Sequence, residues 1–415
     1  MRICILTPYY PPEMGAPPAR LHEIATRLVQ FGHHVSVVTA FPSRPTGKIY
    51  PGYEGSFQKE TIEEGVRVIR TWILPSSSSD SFVSRTINDL SFTWSSGWTI
   101  SHRLGELDIL IVQNPPLFSL FSAKAIAKRT GAKVVMWCGD IWPDVLLQSG
   151  QLKHGFMASC MKYLQQRCFG ISSLLAVTNP TIAQDTQANY KCPTIAIWSN
   201  GVDTKLFDPT KKDVALRRSL GVNDEDILVG YIGLHGRFQG LDAIVEAAVR
   251  LKDTKNIKFI FMGDGVEKNR LIDRVTISGA ANVQFFNPRP KAAMPSLVAS
   301  CVVSVVSLLT RMPGTMPSKF YEACASGSVP LVADGCEAAP LVRKYSSGLV
   351  YEPGDTESVC QAIGVFREMT LESRKSMSNA ARKLSLRFDR DVLAENINKC
   401  LHSLNNGTAI PDQTW

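Results

Sequence analysis

Two doubly wound parallel α/β domains are predicted by this sequence, and three observations predict them. Short apolar runs alternate with helix-length amphipathic segments along nearly the whole chain. At 415 residues the chain is too long for one ordinary core and suits two domains of roughly 150 to 200 residues each. The alternation breaks once, at "SNGVDTKLFDPTKKD" (199–213), into Asn-Gly and Asp-Pro turn chemistry, and then begins again. The seam is placed at about residue 209. It separates an N-terminal domain, 1–208, from a C-terminal domain, 209–385.

The elements follow in order. "RICIL" is an apolar run that stops at Pro8, too short for a signal peptide, so it is read as a first buried strand. "RLHEIATRLVQF" puts Leu21, Ile24, Ala25 and Leu28 on one helix face, Gly32 stops it, and "HVSVVT" completes a βαβ opening. Further strands are predicted at 66–70, 108–112, 133–137, 173–177 and 194–198, with a helix over 116–130. Strands spaced in this way form a parallel sheet covered on both faces. After the seam, strands are predicted at 226–233, 257–265, 282–286, 301–308, 329–333 and 348–352, with helices from Leu241, over 318–326, near 338–346 and from Thr356. A last helical stretch, about 371–404, has no strand after it and must pack on something already built. Its end, about 386–404, is expected to return to the N-terminal domain. Two such domains place a cleft between the carboxyl ends of two sheets, where ligands of this architecture bind.

Composition narrows the class. No apolar run of about 18 residues could span a bilayer. The ten cysteines form no C-x-x-C pair and no zinc-spaced cluster, which points to reduced thiols in a cytosolic protein without disulfide or structural metal. The formal charge of +8 comes from 45 basic against 37 acidic residues with no basic block, so nucleic acid is not expected, while phosphorylated ligands and anionic lipid headgroups stay open.

Several chemistries are excluded by spacing. There is no G-x-G-x-x-G after either first strand and no G-x-x-x-x-G-K-[ST]. "HEIAT" at 22–26 has Thr26 where a zinc protease needs its second histidine, and "DRD" at 389–391 suits a helix start better than a metal. The sequon at Asn406 has no meaning in a cytosolic chain.

Anion-suited loops remain. In "GYIGLHGRFQG", Gly233, Gly236 and Gly240 follow a strand and precede a helix, with His235 and Arg237 beside them. In "TMPSKFYEACASG", Pro317 suits a helix start, Ser318 can cap it, and Lys319 can reach an anion at its N-terminus. Glu322 lies one turn deeper, suited to accept hydrogen bonds from ligand hydroxyls. Alone, the glycine loop reads first as ordinary turn chemistry, and the Lys319–Glu322 pair reads equally as a solvated helix pair.

Taken in order, the loops resemble family-4 glycosyltransferases, the retaining nucleotide-sugar-dependent enzymes of the GT-B fold. The resemblance rests on "PYYPPEMGAPPARLHEIATRLVQFGHHVSVVT", "WSNGVDTKLFDP", "FIFMGDG" and "SKFYEACASGSVPLVAD", and covers nearly the whole chain. "INDLSFTWSS" and "CGDIWPD" are most similar to the branch that builds bacterial O-antigen, capsule and exopolysaccharide, including L-fucosamine transferases. Three departures stand out. The family's first carboxylate of E-x7-E would fall on Gly314, and no acidic residue lies between Ser304 and Tyr321. The usual diphosphate-gripping Arg and Lys fall on Leu234 and Gln239. The usual His-Asp is Gly139-Asp140.

The resemblance implies transfer of a HexNAc or amino-deoxysugar, from a UDP-sugar donor, to a lipid-linked or glycan acceptor. The base would lie near "FFNPRP" (285–290), with Pro288 and Arg289, and the ribose on Glu322. The diphosphate would lie on Lys319 and the helix N-termini, close to Gly233, His235, Gly236, Arg237, Gln239, Gly263 and Gly265. Met316, Pro317 and Ser318 would contact the donor, and its sugar would be read by backbone groups of residues 314–317 or by the opposite domain. On the N-terminal domain, Gly15 and Ala16 would approach the phosphates, Glu13, Arg20 and Trp142 would face the acceptor, and Asp140 would act with Lys319 and Glu322 as a catalytic residue. Charge on the leaving oxygen would be stabilised by N–H dipoles and a lysine, without a metal or other cofactor. Phe92, Trp94 and Trp98, and the stretch 155–169, are candidates for contact with a lipid acceptor or the inner membrane face, alongside an ordinary core role. A cytoplasmic enzyme is expected. Alternatives are a nucleotide-sugar 2-epimerase on the same fold and an inactive sugar- or nucleotide-binding subunit.

Overall fold

The computed structural model describes residues 1–13, 15–44, 46–76, 82–100, 103–148 and 152–411. The chain divides into two compact units, one of Met1–Ser199 with Leu393–Trp415, the other of Asn200–Val392.

The first unit is built on eight strands: β1 (Arg2–Leu6), β2 (His34–Ala40), β3 (Gln58–Glu63), β4 (Val66–Thr71), β5 (Ile109–Asn114), β6 (Lys133–Cys138), β7 (Leu174–Val177) and β8 (Ile195–Ile197). Their order in the sheet is β3-β4-β2-β1-β5-β6-β7-β8. The central strands are near-continuous apolar runs because helices cover both faces, and β5 is buried at every position. Parallel register sets Cys4 opposite Ser36 and Ile5 opposite Ile111, so the carboxyl ends of β2, β1 and β5 lie side by side.

Strand β3 corrects the expectation of a purely parallel sheet. "QKETIE" pairs antiparallel with β4 through a turn at Glu64-Gly65, and it has no apolar run to announce it. It is an edge strand, where charged side chains suit the exposed backbone. Cross-strand ion pairs Glu60–Arg67 at 2.7 Å and Glu63–Arg70 at 2.6 Å fix it.

The second unit carries β9 (Ile227–Ile232), β10 (Ile257–Met262), β11 (Val283–Phe286), β12 (Val303–Val306), β13 (Val329–Ala333) and β14 (Leu349–Tyr351), in the order β11-β10-β9-β12-β13-β14. All pairs are parallel, so the loops after β9, β10, β11, β12 and β13 share one edge.

The long C-terminal stretch is two helices, Leu371–Leu386 and Arg390–Asn406, instead of one. Asp389 breaks it: one carboxylate oxygen accepts from Asp391 N–H at 2.8 Å, which is the helix-start role read from "DRD", and the other accepts from Thr204 N–H at 3.1 Å. Arg382 donates to Phe207 O, Ala325 O and the Asp208 carboxylate. These bonds hold residues 200–208 in the second unit, so the division falls at 199/200 and not at 208/209. Beyond it, Ala394, Ile397, Cys400 and Leu401 share one core with Ile3, Ile5, Ile109 and Ile111 of the first unit.

Leu401 is fully buried in that core. Leu401→Ala is expected to lower the unfolding free energy of the first unit by about 2–5 kcal/mol, read from denaturant unfolding. An unchanged transition would contradict the packing of this helix on β1 and β5.

Candidate active site

Two glycine-bearing loops interlock at the carboxyl edge of the second sheet. Gly233 N–H donates to Met262 O and His235 N–H to Asp264 O, both at 2.8 Å, and Glu267 N–H donates to His235 O at 3.0 Å. A Cβ on Gly263 would lie 1.8 Å from Gly233 O, and one on Gly265 2.4 Å from His235 O. Gly263 and Gly265 therefore serve loop-on-loop packing, whatever else they touch. The loop after β9 continues as a 3-10 turn, Arg237–Gln239, before the helix Leu241–Arg250. Arg237 is exposed, 3.5 Å from Glu267, and Gln239 folds back over Gly236. The first helical turn holds Asp242, gripped by Arg270 at 2.6 and 2.8 Å, so this helix start already has an anion of its own.

His235 is fully buried, and among the described residues neither ring nitrogen has a hydrogen-bond partner. Burial holds its pKa down at about 4, with Lys268 and Lys319 adding to the effect and Asp264 opposing it. Phe285, edge-on to His235 at 6.0 Å, stacks on Phe261 at 5.0 Å and begins the loop that carries the exposed Pro288 and Arg289. Lys268 braces this corner by donating to Gly263 O, Phe286 O and Asn287 Oδ1.

The helix Ser318–Ala325 follows β12. Phe320, Tyr321, Ala323 and Cys324 bury its inner face, which leaves Lys319 and Glu322 half-buried on the other. Pro317 occupies the cap position with no side-chain cap bond, so Ser318 is the first helical residue and not the cap. Lys319 lies over Gly233, where a Cβ would meet its Cε at 2.4 Å, and its Nζ stands 5.3 Å from the Tyr231 ring centre. Among the described residues, neither the Lys319 ammonium nor the Glu322 carboxylate has a hydrogen bond or an ion pair, not even with the other. Burial lowers the Lys319 pKa, with Glu322 opposing. Burial raises that of Glu322, with Lys319, Arg390 and Lys291 opposing.

The loop between β12 and this helix holds a carboxylate that local motif reading missed. Gly314 has φ +78°, a conformation that disfavours any side chain there. Its N–H instead donates to Glu337 Oε1 at 3.0 Å, while Glu337 N–H donates to Thr315 O and Met312 N–H to Gly335 O. Glu337 comes from the segment after β13, 23 residues downstream, so no local spacing announces it. Met316 is buried beneath the same loop.

In the first unit, Gly15 caps the helix Ala16–Gln30 with φ +142°. Pro17 and Pro18 remove two N–H donors from its first turn, so backbone donation there is confined to a few groups. The side chain of Ala16 lies outside the described residues. The Arg20 guanidinium stands 4.5 Å from the Trp137 ring centre, and its charge opposes the rise that surrounding protein imposes on the Asp140 pKa. Asp140 keeps its carboxylate in contact with solvent at the end of β6, and Trp142 is half-buried two residues on. Glu13 departs from the acceptor-facing expectation: it is buried, and Oε1 accepts from Ser43 N–H at 2.8 Å and Arg44 N–H at 3.0 Å. Burial raises its pKa against those two bonds.

Of the aromatic candidates, Phe92 is core, while Trp94 is 54% exposed and packs with Phe57 and Trp72; the side chain of Trp98 lies outside the described residues. The helix Phe156–Ile171 exposes Phe156, Met157 and Tyr163. Among the described residues no helix is long and apolar enough to cross a membrane.

Comparison with known proteins defines the class. Residues 15–194 match the glycosyl transferase 4-like domain, and residues 213–384 match glycosyl transferases group 1. The chain is 26% identical over 380 residues to WcaI of Escherichia coli K12, named for glycosyl transfer in colanic acid biosynthesis, with 88% of this chain and 91% of that protein covered. Its fold is similar to sucrose-phosphate synthase of Thermosynechococcus elongatus, with TM-score 0.75, 14% identity and 98% and 100% of the two chains covered. It is also similar to Anabaena HepE in complex with UDP, with TM-score 0.73, 18% identity and 97% and 100% covered. The chain belongs to the family-4 glycosyltransferases and has the GT-B fold. It is a glycosyltransferase.

The buried imidazole has a measurable consequence. Because the His235 pKa is about 4 in the folded chain against 6.5 for a free histidine, the unfolded chain binds more protons between those values. Stability is expected to fall as pH drops through that window, by at most about 1.4 kcal/mol per pH unit. In His235→Gln the slope from pH 6.5 to 4 is expected to flatten; an unaltered slope would contradict a neutral buried imidazole.

Proposed function

We propose that this chain transfers a sugar with retention of configuration from a nucleoside-diphosphate donor, a UDP-sugar, to a lipid-linked or glycan acceptor during bacterial polysaccharide synthesis. One observation carries the reading: Lys319 and Glu322, half-buried on one helix face, are both unpaired among the described residues. Two charges held so close to protein and so poorly paired are unfavourable unless a ligand completes them. A nucleoside diphosphate completes both. Its ribose hydroxyls donate to the Glu322 carboxylate, and its diphosphate receives the Lys319 ammonium and the first N–H groups of the helix at Ser318.

Breaking the bond from the sugar's anomeric carbon to the diphosphate leaves negative charge on the departing oxygen. A fixed ammonium and N–H dipoles stabilise that charge with little reorganisation, and no metal is assigned a role. The acceptor hydroxyl attacks from the face the diphosphate leaves, and the departing phosphate oxygen takes its proton. The base lies beside Phe285, Pro288 and Arg289. The loop 312–317, tied down by Glu337, faces the donor sugar with backbone groups. On the first unit, Arg20 and Asp140 receive the acceptor. The colanic acid name of the Escherichia coli relative supports a polysaccharide product, and the UDP bound to HepE supports the nucleotide. The exposed Trp94 cluster and the apolar positions of the helix Phe156–Ile171 support peripheral contact with the cytoplasmic membrane face.

The epimerase alternative needs an acid/base pair in the site, and His235, the imidazole beside Lys319, is sealed from solvent. The departure at Gly314 favours an inactive subunit, but a carboxylate does stand at that loop, where Glu337 Oε1 accepts from Gly314 N–H.

With a panel of nucleotide sugars and lipid-diphosphate acceptors, the wild type is expected to release free nucleoside diphosphate. Lys319→Ala should lower kcat about 10²–10³-fold, and Glu322→Ala should raise the donor KM, both with unchanged circular dichroism. Nucleotide binding by a folded wild type without turnover on any pair would contradict the enzyme.

A further inference from the structure

A second polar cluster stands on the first unit, built from residues given no role above apart from Glu13. Tyr9 follows β1, Arg44 follows β2, and Arg85 and Asp89 stand on the helix Phe82–Trp94. Because β1 and β2 are parallel neighbours, the two loops lie side by side at the carboxyl edge of the sheet.

Arg44 is held firmly through its backbone. Its N–H donates to Glu13, the Tyr50 hydroxyl donates to its carbonyl, and its guanidinium carbon stands 4.3 Å from the centre of the Tyr9 ring. Among the described residues the guanidinium makes no hydrogen bond and no ion pair. Stacking on an aromatic face leaves the planar fork of donors free at its edge, the geometry that takes two phosphate oxygens at once.

Asp89 is unsatisfied in the opposite sense. Among the described residues its buried Oδ1 has no hydrogen-bond partner, although the charges of Arg44 and Arg85 act on the carboxylate. Tyr9 feels Asp89, Arg44, Glu13 and Arg85, so these groups share one neighbourhood. Burial holds the Asp89 carboxyl up at about 7, against the pull of the two arginines. Arg44 and Asp89 do not neutralise each other, and a ligand that offers an anion to one and a hydrogen-bond donor to the other satisfies both. Tyr9, Arg44 and Asp89 each remain partly open to solvent, so a ligand has access.

We propose that Tyr9, Arg44 and Asp89 form an acceptor subsite, in which Arg44, stacked on Tyr9, grips the diphosphate of an organic diphosphate ester and Asp89 accepts a hydrogen bond from a hydroxyl of the sugar it carries. The assignment rests on the glycosyltransferase reading above and adds the chemistry of the acceptor to it.

Calorimetric titration with decyl diphosphate, in the presence of saturating UDP or GDP, whichever binds, isolates this subsite from the one at Lys319. The wild type is expected to bind the probe. Arg44→Ala is expected to weaken it at least tenfold and Arg44→Lys by less, with nucleotide affinity and circular dichroism unchanged. Decyl diphosphate bearing N-acetylglucosamine should bind the wild type more tightly than the bare ester. That preference should rise with pH through about 7 and vanish in Asp89→Asn. Equal binding of the ester to wild type and Arg44→Ala would overturn the subsite. Pyrophosphate binding as tightly as the ester would reduce it to a bare anion site, which also overturns it, and absence of the sugar preference would remove Asp89. If neither UDP nor GDP binds the wild type, the donor reading itself falls, a result distinguishable from all of these.

Discussion

Among the described residues Lys319 and Glu322 share half-buried ground without pairing to each other or to a third group, and the candidate site of the second unit is organised around that state. The helix that carries them is only eight residues long and gains its stability from the apolar face it buries, with Phe320 and Tyr321 beneath it. Burial of that face fixes the outward direction of the other, where the two charges stand half-buried. Gly233 gives Lys319 its seat, since any side chain there would meet the lysine's stem. An ordinary helix-surface Lys-Glu pair would be exposed and in contact with its partner. This one is neither among the described residues, and the proposed donor clamp rests on that difference.

The surrounding loops are held by backbone more than by side chains. Gly263 and Gly265 let the loops after β9 and β10 pass within van der Waals contact of each other, and Lys268 ties the end of β11 to them. The loop 312–317 is fixed in the same manner to residues 335–337, with Glu337 at its centre. Such a frame is preorganised. In the proposed reaction its donors would need no rearrangement when charge appears on the leaving group, which is where rigid dipoles act most strongly.

Much of the architecture was legible in the chain because buried parallel strands are apolar runs and because helices between them keep a 3.6-residue period. Strand β3 was not legible, because an edge strand such as "QKETIE" is polar by necessity. The break at Asp389 was half legible: the helix-start chemistry of "DRD" is local, whereas its bond to Thr204 spans 185 residues of sequence. That Lys319 and Glu322 share one helix was readable for the same reason as the strands, since three-residue spacing on a helix is local. Glu337 at Gly314, Glu13 on the loop of Ser43, and Arg44 on Tyr9 were not, because each joins segments that only the folded sheet brings together. Spacing identifies what a helix face offers. Tertiary contacts decide which of those groups are already spent.

The most direct test is a crystal structure with the nucleoside diphosphate bound. The account predicts the Glu322 carboxylate within hydrogen-bond distance of the two ribose hydroxyls, and Lys319 Nζ within about 3 Å of a diphosphate oxygen. A diphosphate bound away from the helix Ser318–Ala325, or Lys319 and Glu322 turned to pair with each other in its presence, would contradict it.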